Sequence, residues 1–221
     1  MTPKSISYKE AIEFLLPKHY LGRKPNISYA FGWYEEAKGG AGELKAVCTF
    51  GKPASPSLCK GICGTEHADN VIELNRLCRT EDLRVPLSQF VAWCLRQLKP
   101  LNCIVVSYSD TAMNHHGYIY QSCNFLYLGM TKKRTDMFVS GGKHSRHYNT
   151  EEQTGFRKVR SPKHRYVYFC TSDKKLKQEW LKALNYPVCP YPKGDNSTYS
   201  LGQFLKEEIV PDTRLKQSTG I

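Results

Sequence analysis

The sequence lacks any apolar run near the roughly 18–20 residues that a membrane-spanning helix needs, which excludes a helical membrane protein. Its first residues, Met1-Thr2-Pro3-Lys4-Ser5, lack the charged-then-apolar layout of a secretory signal, so a cytoplasmic location is expected. It has no internal repeat, which excludes solenoids and propellers. Acidic residues are scarce: 20 Asp and Glu stand against 32 Lys and Arg, a formal charge of +12 over 221 residues. Cysteine is present but does not suit disulfides, because nine is an odd number and no export signal accompanies it. Cys48, Cys94, Cys103, Cys123 and Cys170 fall inside apolar segments and read as small core residues. Cys59 and Cys63, in a segment read as a loop, lack the second nearby pair that a structural zinc site requires.

The positive charge is concentrated. Between Thr131 and Tyr168 there are ten Lys and Arg against Asp136, Glu151 and Glu152, so this stretch alone carries +7. Such a patch binds a polyanion by releasing its counterions, and the interleaved His144, His147, Tyr148 and Phe156 suit nucleic acid. A basic face kept for solubility is the plainer reading.

Along the chain, Ser7-x-x-Glu10 predicts a capped helix ended by Pro17. The alternation of Ile27, Tyr29, Phe31 and Trp33 predicts a half-buried strand. Gly39 to Gly42 reads as the turn of a hairpin returning through Leu44–Phe50, and residues 51–64 as a loop. Val71–Cys78 reads as a strand. Leu87, Phe90, Val91, Cys94, Leu95 and Leu98 form a continuous helical stripe, with Pro86 and Ser88 at its start. Cys103–Tyr108 reads as a buried strand, Gly117–Cys123 as a short helix, and Phe125–Leu128 and Arg165–Cys170 as further strands. Asp173 is the expected cap of a last helix. The strand–helix–strand order predicts an α+β (mixed α/β) fold: one domain over 1–221, with a basic insertion at 131–168 and a loose tail at 211–221.

Polar chemistry gathers at Ser107-Tyr108-Ser109-Asp110-Thr111-Ala112-Met113-Asn114-His115-His116-Gly117-Tyr118-Ile119-Tyr120. The segment begins at the carboxyl end of a buried strand, where ligands collect in open sheets. Asp110 can accept or orient a proton, Asn114 can donate and accept, and Tyr108 and Tyr120 offer hydroxyls. The plainer reading makes Asp110 a turn cap and the tyrosines core residues.

These residues carry a family resemblance. Lys18-His19-Tyr20, Leu74-Asn75-Arg76-Leu77-Cys78, Pro86-Leu87-Ser88-Gln89-Phe90, the Ser-Tyr-Ser-Asp segment and Gly142-Lys143-His144-Ser145-Arg146-His147-Tyr148 together resemble the phage Mom family, from about Pro17 to Tyr148. The resemblance implies a GNAT-like acyltransferase fold and conversion of DNA adenine to N6-carbamoylmethyladenine. In the host-cell cytoplasm this would protect phage DNA from restriction nucleases. It further implies Asp110 and Tyr120 as catalytic residues, Tyr120 protonating a departing CoA thiolate, and an iron held by His19, Tyr20 and Asp110.

An acetyl-CoA or related acyl donor would rest its pyrophosphate at Arg84, Val85, Leu87 and Ser88, where a helix begins. The usual glycine-containing pyrophosphate loop is absent; Arg79 to Pro86 is charged instead. Double-stranded DNA would be held by Lys132, Arg134, Lys143 and Arg146, and the extruded base by Asn114 or His116. Two other readings remain open from sequence: an acetyltransferase for a protein, tRNA or small molecule, and a basic DNA-binding protein without catalysis.

Overall fold

The computed structural model describes residues 2–35, 42–139, 155–195, 201–202, 206 and 208–213. Thr2–Ser5 forms β1, a short edge strand that no alternation marks in the sequence. The helix α1, Tyr8–Lys18, starts on the expected Ser7–Glu10 capping box. Pro17 does not end it but sits inside its last turn, so the helix closes one residue later than expected. The hairpin strands β2 (Tyr29–Glu35) and β3 (Glu43–Gly51) follow, and Gly39 to Ala41 of the expected turn lie outside the described residues. β2 is covered on both faces, Ala30 packing among α1 residues and Phe31 in the largest core cluster, so it is not the half-buried strand expected.

The expected loop after β3 contains a helix, α2 (Pro56–Cys63). Pro56 suits its first turn, Gly64 caps it at a φ of 88°, and Cys59, Ile62 and Cys63 repeat at helical spacing and are buried. Its Gly, Pro and Ser content disguised that stripe.

The centre is β4 (Val71–Arg79), α3 (Leu87–Leu98) and β5 (Cys103–Asp110), as the strand–helix–strand reading required. Then come α4 (Tyr118–Ser122), β6 (Leu126–Met130), β7 (Arg134–Met137), β8 (Phe156–Arg160), β9 (Lys163–Cys170), α5 (Lys174–Lys182, capped by Asp173) and β10 (Ile209–Pro211). Seven strands form one mixed sheet in the order β1-β2-β3-β4-β5-β9-β6, with β4 and β5 parallel. A second sheet, β10-β8-β7, holds the described start of the 131–168 stretch, whereas Lys163 onward belongs to the main sheet. Asp212 is bound to Arg157 at 3.1 Å, which ties the chain after β10 to that small sheet.

Helices α3 and α4 pack on one face of the main sheet around Phe90, Val91, Leu95 and Val105; α2 and α5 pack on the other around Ile62, Val106 and Trp180. Eight of the nine cysteines are buried and none of the nine forms a disulfide, consistent with their reading as reduced, mostly core residues.

One irregularity shapes the molecule. In the β3–β4 ladder Thr49 faces Arg76 and Phe50 faces Leu74, so Asn75 is an extra residue, a β-bulge in β4. Its side chain is pinned from both ends: Thr49 Oγ1 donates to Asn75 Oδ1 at 2.6 Å, and Asn75 Nδ2 donates to the Asn26 carbonyl at 2.6 Å. The parallel ladder of β4 with β5 stops at the same place, Leu74 opposite Ser107. Beyond it Asn75–Arg79 and Tyr108–Asp110 have no rungs between them, and the two strands splay. A central parallel pair within a mixed sheet flanked by helices is the GNAT-like arrangement expected; the splay is an addition to that expectation.

Gly51 ends β3 beside this bulge, where an added Cβ would lie 1.9 Å from the Asn26 carbonyl oxygen. Gly51→Ala is therefore expected to cost about 2–3 kcal/mol by overpacking against backbone that cannot yield. A lowered urea midpoint with unchanged slope checks this.

Candidate active site

A cavity of about 1050 Å³ lies at the splay and is lined from both faces of the sheet. On the α3 side its wall includes Leu77, Val85, Pro86, Leu87, Ile119 and Tyr120. Pro86 gives α3 no side-chain cap, and the Gln89 N–H is taken by the Pro86 carbonyl at 3.0 Å, so an anion there would rely on the Leu87 and Ser88 N–H groups. Of the four residues expected at a donor pyrophosphate, Val85 and Leu87 line this cavity; Arg84 is exposed and, like Ser88, lies outside the lining. Burial holds the Tyr120 phenol above its usual 10, with the Ser107 hydroxyl partly opposing the shift, so it remains a proton donor at neutral pH.

On the other side stand His19, Tyr20, Glu73, Arg76, Tyr108, Asp110, Lys163 and Arg165. The expected catalytic residues Asp110, Tyr108 and Tyr120 thus meet in one cavity, together with His19 and Tyr20. The His19 and Tyr20 rings stack at 4.5 Å, and His115 meets Tyr20 edge-on at 6.0 Å. His19 Nδ1 accepts from the Leu21 N–H at 3.2 Å. Burial, then the nearby Arg76 guanidinium, lowers His19 to about 3, so it is neutral throughout the physiological range. Tyr20 is raised by burial and by the Asp110 charge.

Asp110 is 2 % exposed and engaged at both oxygens: Oδ1 accepts from the Ser161 hydroxyl and from the Ala112 N–H at 3.0 Å, and Oδ2 from the Lys163 ammonium. Burial alone would raise its carboxyl, but Lys163 and these hydrogen bonds outweigh it and hold the group below the usual carboxylate range.

An iron at His19, Tyr20 and Asp110 would have to displace the Lys163 ammonium from the one carboxylate of the set. No group of three His, Cys, Asp or Glu suited to a metal occurs among the described residues.

Asn114 and His116 do not reach the cavity. Asn114 occupies a left-handed turn (φ 51°), where Asn is tolerated, and its Nδ2 donates to the Asp195 carbonyl. His116 packs against His164, with ring centres 5.6 Å apart, and against Gly194. They serve the turn and its packing, so the base contacts expected of them are withdrawn.

The small sheet supplies a third wall with Arg134, Lys158 and Arg160, continued by Lys132. Lys143 and Arg146 lie outside the described residues. Ten Lys and Arg line the cavity against the four acids Glu73, Glu81, Asp110 and Asp136. Lys158 is lowered to about 8 by burial and by the neighbouring Arg160 and Arg23 charges.

The profile of the Mom protein family matches residues 1–193. The chain belongs to the Mom protein family. Membership carries a coarse assignment, a transferase of phage DNA modification. No curated protein matches.

Among solved structures, an N-acetyltransferase from Staphylococcus aureus Mu50 is similar at 12% identity, TM-score 0.47, over 76% of this Mom-family chain and 98% of that one. An acetyltransferase from Bacillus subtilis solved with CoA gives 16%, 0.36, 73% and 82%. A protein assigned as an acetyltransferase, from Acinetobacter baylyi ADP1, gives 13%, 0.40 and 64%, and the chain spans 62% of its length. At these TM-scores the likenesses carry no statement about reaction or donor.

Several residues of this Mom-family site were not singled out from the sequence. Glu73, Arg23, Arg160, Lys163 and Arg165 all line the cavity. Arg160, Lys163 and Arg165 belong to the basic 131–168 stretch; for Glu73 the signal is a lone carboxylate among the apolar residues of a buried strand, which demands a partner or a task.

Proposed function

We propose that this chain converts adenine in double-stranded DNA to N6-carbamoylmethyladenine and so shields phage DNA from restriction enzymes. The observation that carries the reading is the meeting of Asp110 and Tyr120 at the sheet's splay, in a cleft whose remaining wall is cationic. A duplex base must leave the stack to reach such a cavity, and phosphates need cations on the way. Lys132, Arg134, Lys158 and Arg160 are suited to them.

An acyl-CoA-type donor would enter from the α3 side, its pyrophosphate at Val85 and Leu87, with Tyr120 as proton donor to a departing thiolate. The carbamoylmethyl group joins nitrogen through a methylene carbon, so attack on a thioester carbonyl is not the whole reaction. No step is assigned to a metal.

Nucleoside mass spectrometry of DNA from expressing cells tests the reading. A modified deoxyadenosine is the expected result; unmodified DNA alongside acetylated protein or tRNA would replace it with a different acyltransferase. Lys158 adds a pH signature. Its lowered value means it loses its charge above about pH 8, so DNA binding should take up a proton and weaken between about pH 7 and pH 9. Titration calorimetry in buffers of different ionisation enthalpy reads that uptake.

A further inference from the structure

Four carboxylates line the cavity, and three are accounted for. Asp110 is held by Lys163, Ser161 and the Ala112 N–H. Asp136 is held by Arg160 at 2.7 Å, and Glu81 is an exposed residue of the turn before α3. Glu73 differs: no hydrogen bond or ion pair to it occurs among the described residues, although it sits mid-strand in β4 between Gly51 of β3 and Val106 of β5. Burial raises its carboxyl above the usual range, and the more distant Arg76, Lys163 and Arg23 only partly oppose the shift.

The surroundings of Glu73 are those of a flat ligand. Tyr108, on the neighbouring strand, is pushed up to about 12 by burial, a shift that the Arg165 guanidinium partly opposes and the Glu73 charge adds to. The Arg165 guanidinium lies over the Tyr186 ring at 3.9 Å, a ready-made stacking surface, and its Nε is buried with no hydrogen-bond partner among the described residues. Leu58 of α2 lines the same cavity. An aromatic and guanidinium wall beside a single inward carboxyl is the composition by which proteins seat an unstacked base.

We propose that this pocket is the seat of the extruded adenine: Glu73 accepts a hydrogen bond from the exocyclic N6 amino group, and Tyr108 with the Arg165–Tyr186 pair holds the ring. This deepens the proposed function and rests on it. When Glu73 carries a proton it also donates to adenine N1, so one carboxyl satisfies both polar atoms of that edge. Glu73 lies one residue before Leu74, the last rung before the strands splay.

The test uses the full-length protein and two duplex oligonucleotides identical except at one position opposite an abasic site: adenine in one, unsubstituted purine lacking the amino group in the other. Wild-type protein is expected to bind the adenine probe about tenfold more tightly, the scale of one hydrogen bond to a charged acceptor. Glu73→Ala should abolish that ratio. Glu73→Gln should keep it, because its carboxamide oxygen still accepts from N6 and its amide still donates to N1. Tyr186→Leu should weaken both probes together, by roughly tenfold, through lost stacking.

The ratio is a readout that a merely structural role would not move, since both probes meet the same fold. Equal affinities in the wild type, or a ratio preserved in Glu73→Ala, would overturn the seat. Those results alongside modified deoxyadenosine in wild-type DNA remove the seat alone. Absence of modified deoxyadenosine removes the proposed reaction instead.

Discussion

Asp110→Ala is expected to lower DNA modification by about 10²–10⁴-fold, the range a positioned proton-handling group commands. Asp110 closes β5 and its carboxylate joins three elements: the Ala112 N–H of the following turn, Ser161 before β9, and Lys163 in β9. Removing it frees the Lys163 ammonium to compete for any anion entering the cavity and releases the turn that leads to Tyr120. Affinity for bulk DNA should persist, because the residues proposed to hold phosphates are elsewhere.

Asp110→Asn separates charge from geometry. The amide oxygen can still accept from Ser161 or Ala112, so folding is retained while modification falls. The linkage has a definite sign. Asp110's folded value is depressed, so its contribution to stability is fully present above its unfolded value near pH 4 and is lost as pH falls through the folded one. Asp110→Asn should therefore flatten the acid limb of a stability–pH curve, read by urea unfolding at stepped pH.

The second large effect is expected at the cationic wall. Arg134→Glu combined with Arg160→Glu should weaken DNA binding on the order of a hundredfold at moderate salt and reduce the salt slope by about two. Both residues line the cleft from the small sheet, and Arg160 is held by Asp136, which would face a new carboxylate after reversal. The same reversal at Lys174 and Lys182 of α5, which are not part of that lining, should change affinity little. Fluorescence anisotropy at several salt concentrations reads both. If the α5 pair matters more, the DNA path runs elsewhere.

Local features were legible in the sequence and long-range ones were not. The apolar stripe of α3 and the run of β5 declare themselves because burial of one helical face, or of a whole strand, leaves a periodic trace. The polar segment from Ser107 to Tyr120 marked a site, and Asp110, Tyr108 and Tyr120 do converge there. Asn114 and His116 came from the same segment but turn away, because a left-handed residue at Asn114 reverses the chain. Sequence cannot show such a reversal in advance.

The splay itself was invisible for a different reason. It depends on the register of Asn75 against Thr49 and Phe50, and registers are set by partners distant in the chain. The assembly of β7 with β8, and of β8 with β10, is equally non-local. It decides that Arg134 and Arg160 face the cavity, whereas the sequence could state only that the stretch is basic. The α2 helix was hidden by its composition, since Pro56 and Gly64 punctuate a helix as readily as a loop.

An adenine taken from DNA should arrive at the gap between β4 and β5. Photo-crosslinking with a duplex carrying one photoreactive azidoadenine, followed by peptide mapping, shows where it lands. Adducts are expected on peptides from the gap, those bearing Tyr108 to Tyr120 or Glu73 to Arg76. Adducts confined to α5 or to the outer surface of the small sheet would place the base elsewhere and rule out this site.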